Sequence, residues 1–439
     1  MKLNRTVLGL LLFCFAGTAF PQAKPITYWE HVKPITDAYC TTCHSPGNIA
    51  PFSLSTYQDV YNMRYFVSYA VGEKIMPPWY ADPLHNYLYN TSLPEEHIQT
   101  ITDWVDQDAP EGSPDNQGIA LEVDRGGITR VDATTGIPEL FTPQAVDGDE
   151  YRCFLLDWEA TEDVFLQGYK VEAGNSKIVH HMALYLAAES QVRKVKSMVN
   201  EDERPGYDCF GGPYTKTQLL PMPFIGNGGP GNNGFLFPDR TGVQIKKGSR
   251  LVMQIHYSMS GHEGETDQTQ IKMQLTKEKL KPGIYFPVFN PFWAIFKNLM
   301  KIPAGDANAS HTYKGNPFQG IKLIKFLFPS DLDYSKGVKI YAIAPHMHER
   351  GKSLRMNIYR ENGNVEPLFS VSNWNFHWQS TFFYETPVVM SPDDEIAITC
   401  SWDNSGRVRS AHGHRAIEEV PKDVYWGEST SDEMCVGAL

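Results

Sequence analysis

The spacing of apolar positions changes character once along the chain. After Pro94, with acidic Glu95 and Glu96 following and Ser92 or Thr91 available as a cap, apolar Ile98, Ile101, Trp104 and Val105 recur at helical spacing, which predicts a helix to Asp106. Beyond about residue 119 the apolar runs become short and β-rich: Ile178 to Leu186, Leu251 to Tyr257, Val338 to Ile343 and Glu395 to Cys400. Gly and Pro punctuate them, and helical periodicity returns only near Ser190 to Asn200. The pattern predicts a small helical module followed by antiparallel sandwiches or barrels. Between the two, Ala109 to Gly118 is dense in turn formers and reads as a linker that makes the helical module separable. The glycine-rich stretch Gly226 to Gly234 has no Gly-Lys-Ser/Thr ending, so it reads as a plain loop.

The one long apolar run, Val7 to Phe15, follows Lys2 and Arg5 and precedes small residues at Gly17 and Ala19, so residues 1–23 read as a secretory signal. The run is too short to span a bilayer of ~30 Å as a stable anchor. Bulky Phe13 argues against lipid attachment at Cys14, which belongs to the leader. The mature chain is therefore expected in the periplasm or outside the cell. At 439 residues it exceeds the roughly 150 of one domain about threefold, and 41% hydrophobic and 12% aromatic content excludes wholesale disorder. Removing Lys2 and Arg5 takes the formal charge from -12 to -14, without a dense basic stripe, which excludes nucleic acid as a partner.

Cys40-Thr41-Thr42-Cys43-His44 is Cys-x-x-Cys-His, the attachment signature of a c-type haem: Cys40 and Cys43 supply thioethers and His44 an axial ligand. A redox disulfide or half a zinc site would leave the adjacent histidine unexplained. The second axial ligand is expected from Met76, held in a rigid loop by Pro77 and Pro78; Met63, its rival, reads as a core-facing helical residue.

Among 14 histidines, several fall in compact arrangements. His180 and His181 are adjacent on a strand, so joint ligation requires a strand end or a bulge, because neighbours point to opposite faces. His256 ends another strand. His346 and His348 are alternate residues that share a face, so both can chelate one metal without distortion. His412 and His414 form a further alternate pair, read as a surface or lid loop, while His31, His85, His97, His262, His311 and His377 are isolated.

Taken with Ser431-Asp432-Glu433-Met434-Cys435, these motifs occur in an order that resembles the copper type II, ascorbate-dependent monooxygenases, the family of peptidylglycine alpha-hydroxylating monooxygenase and dopamine beta-hydroxylase. The carriers are His180-His181-Met182, Gln254-Ile255-His256-Tyr257, His346-x-His348 before Gly351-Lys352, and Asp432 to Cys435. The resemblance covers about residues 136 to 439. It implies two all-β jelly-roll copper domains, antiparallel β-sandwiches at 119–285 and 286–439, facing a solvent-filled cleft; ahead of them the haem-attachment motif places an all-α cytochrome c domain at 24–118.

By the same resemblance His180, His181 and His256 hold the first of two copper ions, and His346, His348 and Met434 hold the second, where dioxygen binds. Imidazoles serve both copper oxidation states and a thioether favours Cu(I). The reaction implied is O2 + 2e⁻ + 2H⁺ + R–H → R–OH + H2O on a small-molecule or peptide substrate. An external donor, ascorbate-like or a periplasmic redox protein, supplies electrons and the haem relays them. Cys153 is expected to pair with Cys209 and Cys400 with Cys435, clamping Met434. The arginine, asparagine and tyrosine with which the peptide-amidating enzyme grips a carboxylate are replaced by Ala344, Val436 and Ala438. The competing class is a non-catalytic haem and copper electron-transfer or copper-binding protein.

Overall fold

The computed structural model describes the chain from Lys24 to Leu439 apart from residues 49, 145–148, 210–211, 214–221, 230–233, 260–261, 320–333, 377, 410–415, 419 and 428–430. The leader, His377, His412 and His414 therefore lie outside the described residues. What is described is mostly β-structure with few helices. No helix among the described residues is long and apolar enough to cross a membrane.

Lys33–Tyr39, Tyr57–Gly72 and Glu95–Asp106 are the helices of the N-terminal module. The last begins with Pro94 itself at the cap position rather than a Ser or Thr side chain, and it buries Ile98, Ile101, Trp104 and Val105, as its periodicity predicts. Their core also holds Val60, Val67 and Val71, with Cys40 and Met63 packed at its margin.

The first sandwich pairs two five-stranded sheets. One runs Tyr207–Asp208, Asp149–Glu159, Arg250–Ser258, Val179–Ala187, Phe224–Gly228; the other runs Lys281–Pro282, Thr241–Ile245, Val164–Glu172, Gln270–Thr276, Ala133–Gly136. Alternation sends Leu251, Met253 and Ile255 into the shared core with Leu166 and Ile271. His256, Gln254 and Val252 stand on the other face of their strand. The glycine-rich segment is part strand, correcting the loop expected there: Gly226 pairs with Leu184, and a Cβ at this position would come within 2.1 Å of the Tyr169 hydroxyl. A side chain cannot fit, so glycine permits the strand.

The second sandwich has Phe382–Met390, Val338–His346, Val436–Ala438 and Pro287–Val288 in one sheet, facing Ala309–Gly315, Glu395–Trp402, Gly351–Tyr359 and Val365–Val371. Ile340 and Ile343 meet Met356, Ile358, Phe369 and Ile398 in its core.

A separable helical module is not what the chain builds. Residues 109–118 are stitched back onto the first turn: Tyr28 N–H donates to the Pro110 carbonyl at 2.9 Å, Gly118 N–H to Trp29 at 3.0 Å, and Trp104 Nε1 to Pro110 at 3.0 Å. Further on, Trp79, Tyr80, Ala81 and Tyr87 join the core of the second sandwich. Tyr87–Leu88 adds an edge strand to it, with Tyr87 opposite Tyr384. The Asp82 carboxylate accepts from the Ser370 and Ser372 hydroxyls at 2.5 and 2.7 Å. Turn-forming composition marked where the chain bends, and apolar burial decided where it docks.

Disulfides join Cys153 to Cys209 and Cys400 to Cys435. Beside the first, the buried Arg152 guanidinium donates to both Asp202 carboxylate oxygens at 2.6 and 3.0 Å and to the carbonyls of Arg204 and Pro205. Burial alone would raise the Asp202 carboxyl, but Arg152 and the N–H groups of Arg204 and Asp208 together hold it below the usual carboxylate range. Arg152→Ala should cost about 3 kcal/mol in urea unfolding, since it strands this carboxylate and two carbonyls. A depressed folded-state pKa makes the ion pair's contribution complete above the ordinary Asp range and lost as pH falls through the lowered value. The difference between parent and variant should therefore narrow in acid.

Candidate metal centres

Adjacent histidines on a regular strand would diverge. Here the pairing of Val179–Ala187 with Arg250–Ser258 slips at His180: Val179 is opposite Tyr257 and His181 is opposite His256, one residue of the partner strand for two of this one. This is the bulge that joint use of His180 and His181 requires. His180 Nδ1 comes to 3.0 Å from His181 Nδ1, which lies 3.4 Å from His256 Nδ1. One ligand atom from each of the three lies within 4.8 Å of the others. Across the strands Tyr151 is opposite His256 and stacks on it at 4.2 Å with 8° between planes, fixing the ring. Burial first, then His256 and His346, hold the His181 pKa well below its ordinary value. His181 is therefore a neutral imidazole with a lone pair, the form that binds metal.

His346 is the last residue of Val338–His346, and Met347 and His348 lie beyond the strand, in the connection to Gly351–Tyr359. The simple alternation expected for His346-x-His348 thus holds only to the strand end. The backbone nevertheless buries Met347 fully in the core and leaves the two imidazoles 5.1 Å apart, crossed at 86°. Each ring has one nitrogen committed: His346 Nδ1 lies 2.5 Å from the Gln379 Oε1 acceptor, and His348 Nδ1 lies 3.2 Å from the Asp432 carbonyl. A ring that donates through Nδ1 keeps Nε2 as an acceptor. Burial lowers the His346 pKa against the opposing Gln379 bond.

The Asp432 to Met434 segment closes on this turn. The fully buried Glu433 carboxylate accepts from His348 N–H at 3.0 Å, Arg350 N–H at 2.6 Å and Trp402 Nε1 at 2.8 Å. Burial pushes its pKa up to about 7 despite these donors and Arg350. Met434 is buried in the same core cluster as Met347, and Val436 lies opposite His346, with Cys435 bonded to Cys400 between them. Ala344 lies opposite Ala438, so this strip offers no donor fork for a carboxylate.

The two clusters approach each other. Phe376 lies between them, its ring 6.2 Å from His180 and 6.1 Å from His348, and His346 is near enough to His181 to depress its pKa. Thr381 Oγ1 donates to Asn227 Oδ1 at 3.0 Å, and Phe383 meets Phe235 edge-on at 4.4 Å, tying one sandwich to the other.

In the helical module Cys40 and Cys43 are thiols. Burial pushes Cys40 up to about 12 and raises Cys43 as well. His44 Nδ1 lies 3.1 Å from the Phe52 carbonyl acceptor, which leaves Nε2 available. Met76 lines a cavity of about 510 Å³, together with Val71, Leu93 and Ile98, which also belong to the helical core against which Cys40 packs. Tyr87 lines it too, and its buried hydroxyl has no partner among the described residues. Met63 packs at the margin of the helical core.

Sequence reasoning missed Gln379, Glu433, Tyr151 and Phe376. Glu433 was visible as an acidic residue inside a motif otherwise counted by its Met and Cys. The other three are single side chains with no local signature.

Residues 330–438 match the model of the copper type II ascorbate-dependent monooxygenase C-terminal domain. The chain is similar to DBH-like monooxygenase protein 1 of Gallus gallus, 21% identical over 278 residues that make up 61% of this chain and 40% of that protein. It is likewise 21% identical over 278 residues to tyramine beta-hydroxylase of Caenorhabditis briggsae, covering 61% of this chain and 43% of that one. MOXD1 homolog 1 of Drosophila melanogaster is 21% identical over 211 residues, 47% of this chain and 26% of its own. The alignments thus span less than half of each relative's length. The C-terminal quarter of the chain thus matches a copper monooxygenase domain, and the similar proteins include one named DBH-like monooxygenase and one named tyramine beta-hydroxylase.

Proposed function

We propose that this chain is a copper-dependent monooxygenase that hydroxylates a C–H bond of a small molecule with dioxygen, fed with electrons by its own c-type haem. The observation that carries this reading is the convergence of two donor sets of unlike chemistry. Three histidine Nδ1 atoms meet over the bulge at His180, and a thioether segment closes on the His346 turn. Copper bound by these residues supplies one-electron chemistry and dioxygen activation. The remaining work belongs to the protein.

His180, His181 and His256 would hold the first copper through atoms that already face one another. His346, His348 and Met434 would hold the second, with the imidazoles oriented by Gln379 and the Asp432 carbonyl. Tyr151 lies flat against His256 and Phe376 lies beside both clusters, apolar surface that keeps water from these rings. The cytochrome residues are compatible with haem: Cys40 and Cys43 are outside any disulfide, the His44 ring is oriented by Phe52 with Nε2 available, and Met76 lines a cavity beside the helical core. Ala344, Val436 and Ala438 disfavour a peptide gripped by its carboxylate. A neutral or cationic small molecule and an ascorbate-type donor fit better.

Two copper ions and one covalent haem per chain should load in the exported protein. Substrate screened under labelled dioxygen should gain one labelled oxygen, only when reductant and copper are both present. Retention of two coppers without any oxygen uptake across a broad screen would favour the electron-transfer reading instead. Gln379→Leu, which frees His346 Nδ1, should weaken copper at the second site by about 10- to 100-fold, measured by competition with a chelator, and leave the first site unchanged.

A further inference from the structure

The Met76 loop leads straight into Trp79 and Tyr80, and these two side chains pack against the second sandwich by different contacts. Trp79 lines the same cavity as Met76, and its ring meets Phe382 edge-on at 5.0 Å and Tyr87 at 6.0 Å. The Tyr80 hydroxyl donates to the Ile75 carbonyl at 3.4 Å, one residue before Met76, and accepts from Asn375 Nδ2 at 3.4 Å. Asn375 is bonded directly to Phe376, the ring that stands 6.2 Å from His180 and 6.1 Å from His348. From the axial-ligand loop to the rim of both histidine clusters there is thus one short run of covalent bonds, two hydrogen bonds and ring contacts.

We propose that Tyr80, Asn375 and Phe376, flanked by Trp79 and Phe382, form the path by which an electron leaves the haem and reaches copper at either cluster. This rests on the haem and copper reading above and adds to it the route. Electronic coupling through bonds and packed rings falls off more slowly than through solvent, so a continuous chain of contacts carries an electron where docking alone does not. A module held only for stability requires burial, which Tyr87 and Ala81 already supply. It does not require its ligand loop to be hydrogen-bonded to the residue next to Phe376. The step is balanced as Fe(II) to Fe(III) at the haem and Cu(II) to Cu(I) at the cluster, with no atom transferred. An external one-electron reductant of the ascorbate class returns the haem to Fe(II).

The test uses full-length, haem-bearing, copper-loaded, fully oxidised protein without oxygen or substrate. A pulse of less than one equivalent of dithionite reduces the haem. Its reoxidation is followed by the decay of the haem α-band, and freeze-quenched samples report loss of the cupric EPR signal. In the parent the decay should be independent of protein concentration and matched by cupric loss. Tyr80→Phe, which keeps the ring and removes the hydroxyl bridge, should slow it several-fold; Tyr80→Leu with Asn375→Leu should slow it by more than an order of magnitude. Haem absorbance, haem potential and the resting cupric spectrum should stay as in the parent. An unchanged decay in the double variant with those spectra intact overturns the route while leaving haem and copper in place. Absence of covalent haem in the parent, or of a cupric signal on loading, overturns the underlying reading, and the parent sample alone reveals it.

Discussion

Met434→Leu is expected to abolish hydroxylation while haem attachment and copper at the His180 cluster persist. The choice of leucine matters, because Met434 is only 8% exposed and belongs to the core that also holds Met347, Met356 and Trp402. Alanine would open a cavity as well as remove sulfur, at a cost of about 2–5 kcal/mol, and the two effects could not be told apart. Leucine keeps the volume, and such swaps usually cost less than about 1.5 kcal/mol, so the unfolding midpoint should scarcely move. What changes is the proposed donor set, from two imidazoles and a thioether to two imidazoles. Loss of an outer-shell partner typically weakens a site about 10- to 100-fold, and loss of a direct ligand should exceed that. Copper stoichiometry under a competing chelator should fall from two to one, and product formation to background. Full turnover by a well-folded Met434→Leu chain would remove Met434 from the site.

How far the site could be read beforehand depended on whether a residue's role is local. Cys40, Cys43 and His44 form a motif within five positions. His180 and His181 were suspect as a pair, and alternation alone demanded the irregularity that the register slip between Val179 and His181 supplies. The strand around His256 was legible from Leu251 to Tyr257 because a strand buried on both faces writes a short, nearly continuous apolar run. What alternation does not reveal is which outer face meets which partner. Phe376 and Gln379 lie in the connection leading to Phe382–Met390 and act on histidines from other strands, the latter 33 residues from His346. The linker reading failed for a related reason: composition reports a turn at Ala109 to Gly118, but the backbone bonds to Tyr28 and Trp29 depend on how Trp104 packs. Gly226 misled in the opposite direction, since glycine there answers the crowding of Tyr169 and not the needs of a loop.

The largest expected loss of stability comes from Glu433→Ala. Three donors from two separate parts of the chain end on this one fully buried carboxylate: His348 N–H and Arg350 N–H from the turn, and the Trp402 indole from the facing sheet. A buried donor left without its acceptor costs about 1–3 kcal/mol. The three share one site and will not add fully, because the turn can relax and water can enter, so a loss of about 3–5 kcal/mol is expected, comparable to breaking a buried ion pair. Against a total stability of roughly 5–15 kcal/mol that is a substantial part. The raised pKa of Glu433 indicates that burying this carboxylate is costly in itself. What the carboxylate does is hold three donors in fixed positions. It ties the His348 turn to the Asp432 to Met434 segment, whose Asp432 carbonyl also orients the His348 ring. Urea unfolding should therefore show the early loss of the second sandwich. At urea concentrations where the variant is still folded, copper should be weakened at the His346 cluster and retained at the His180 cluster. Equal weakening at both clusters would mean that Glu433 supports the whole fold and has no particular hold on the turn. A loss below about 1 kcal/mol would mean that the three donors find other acceptors.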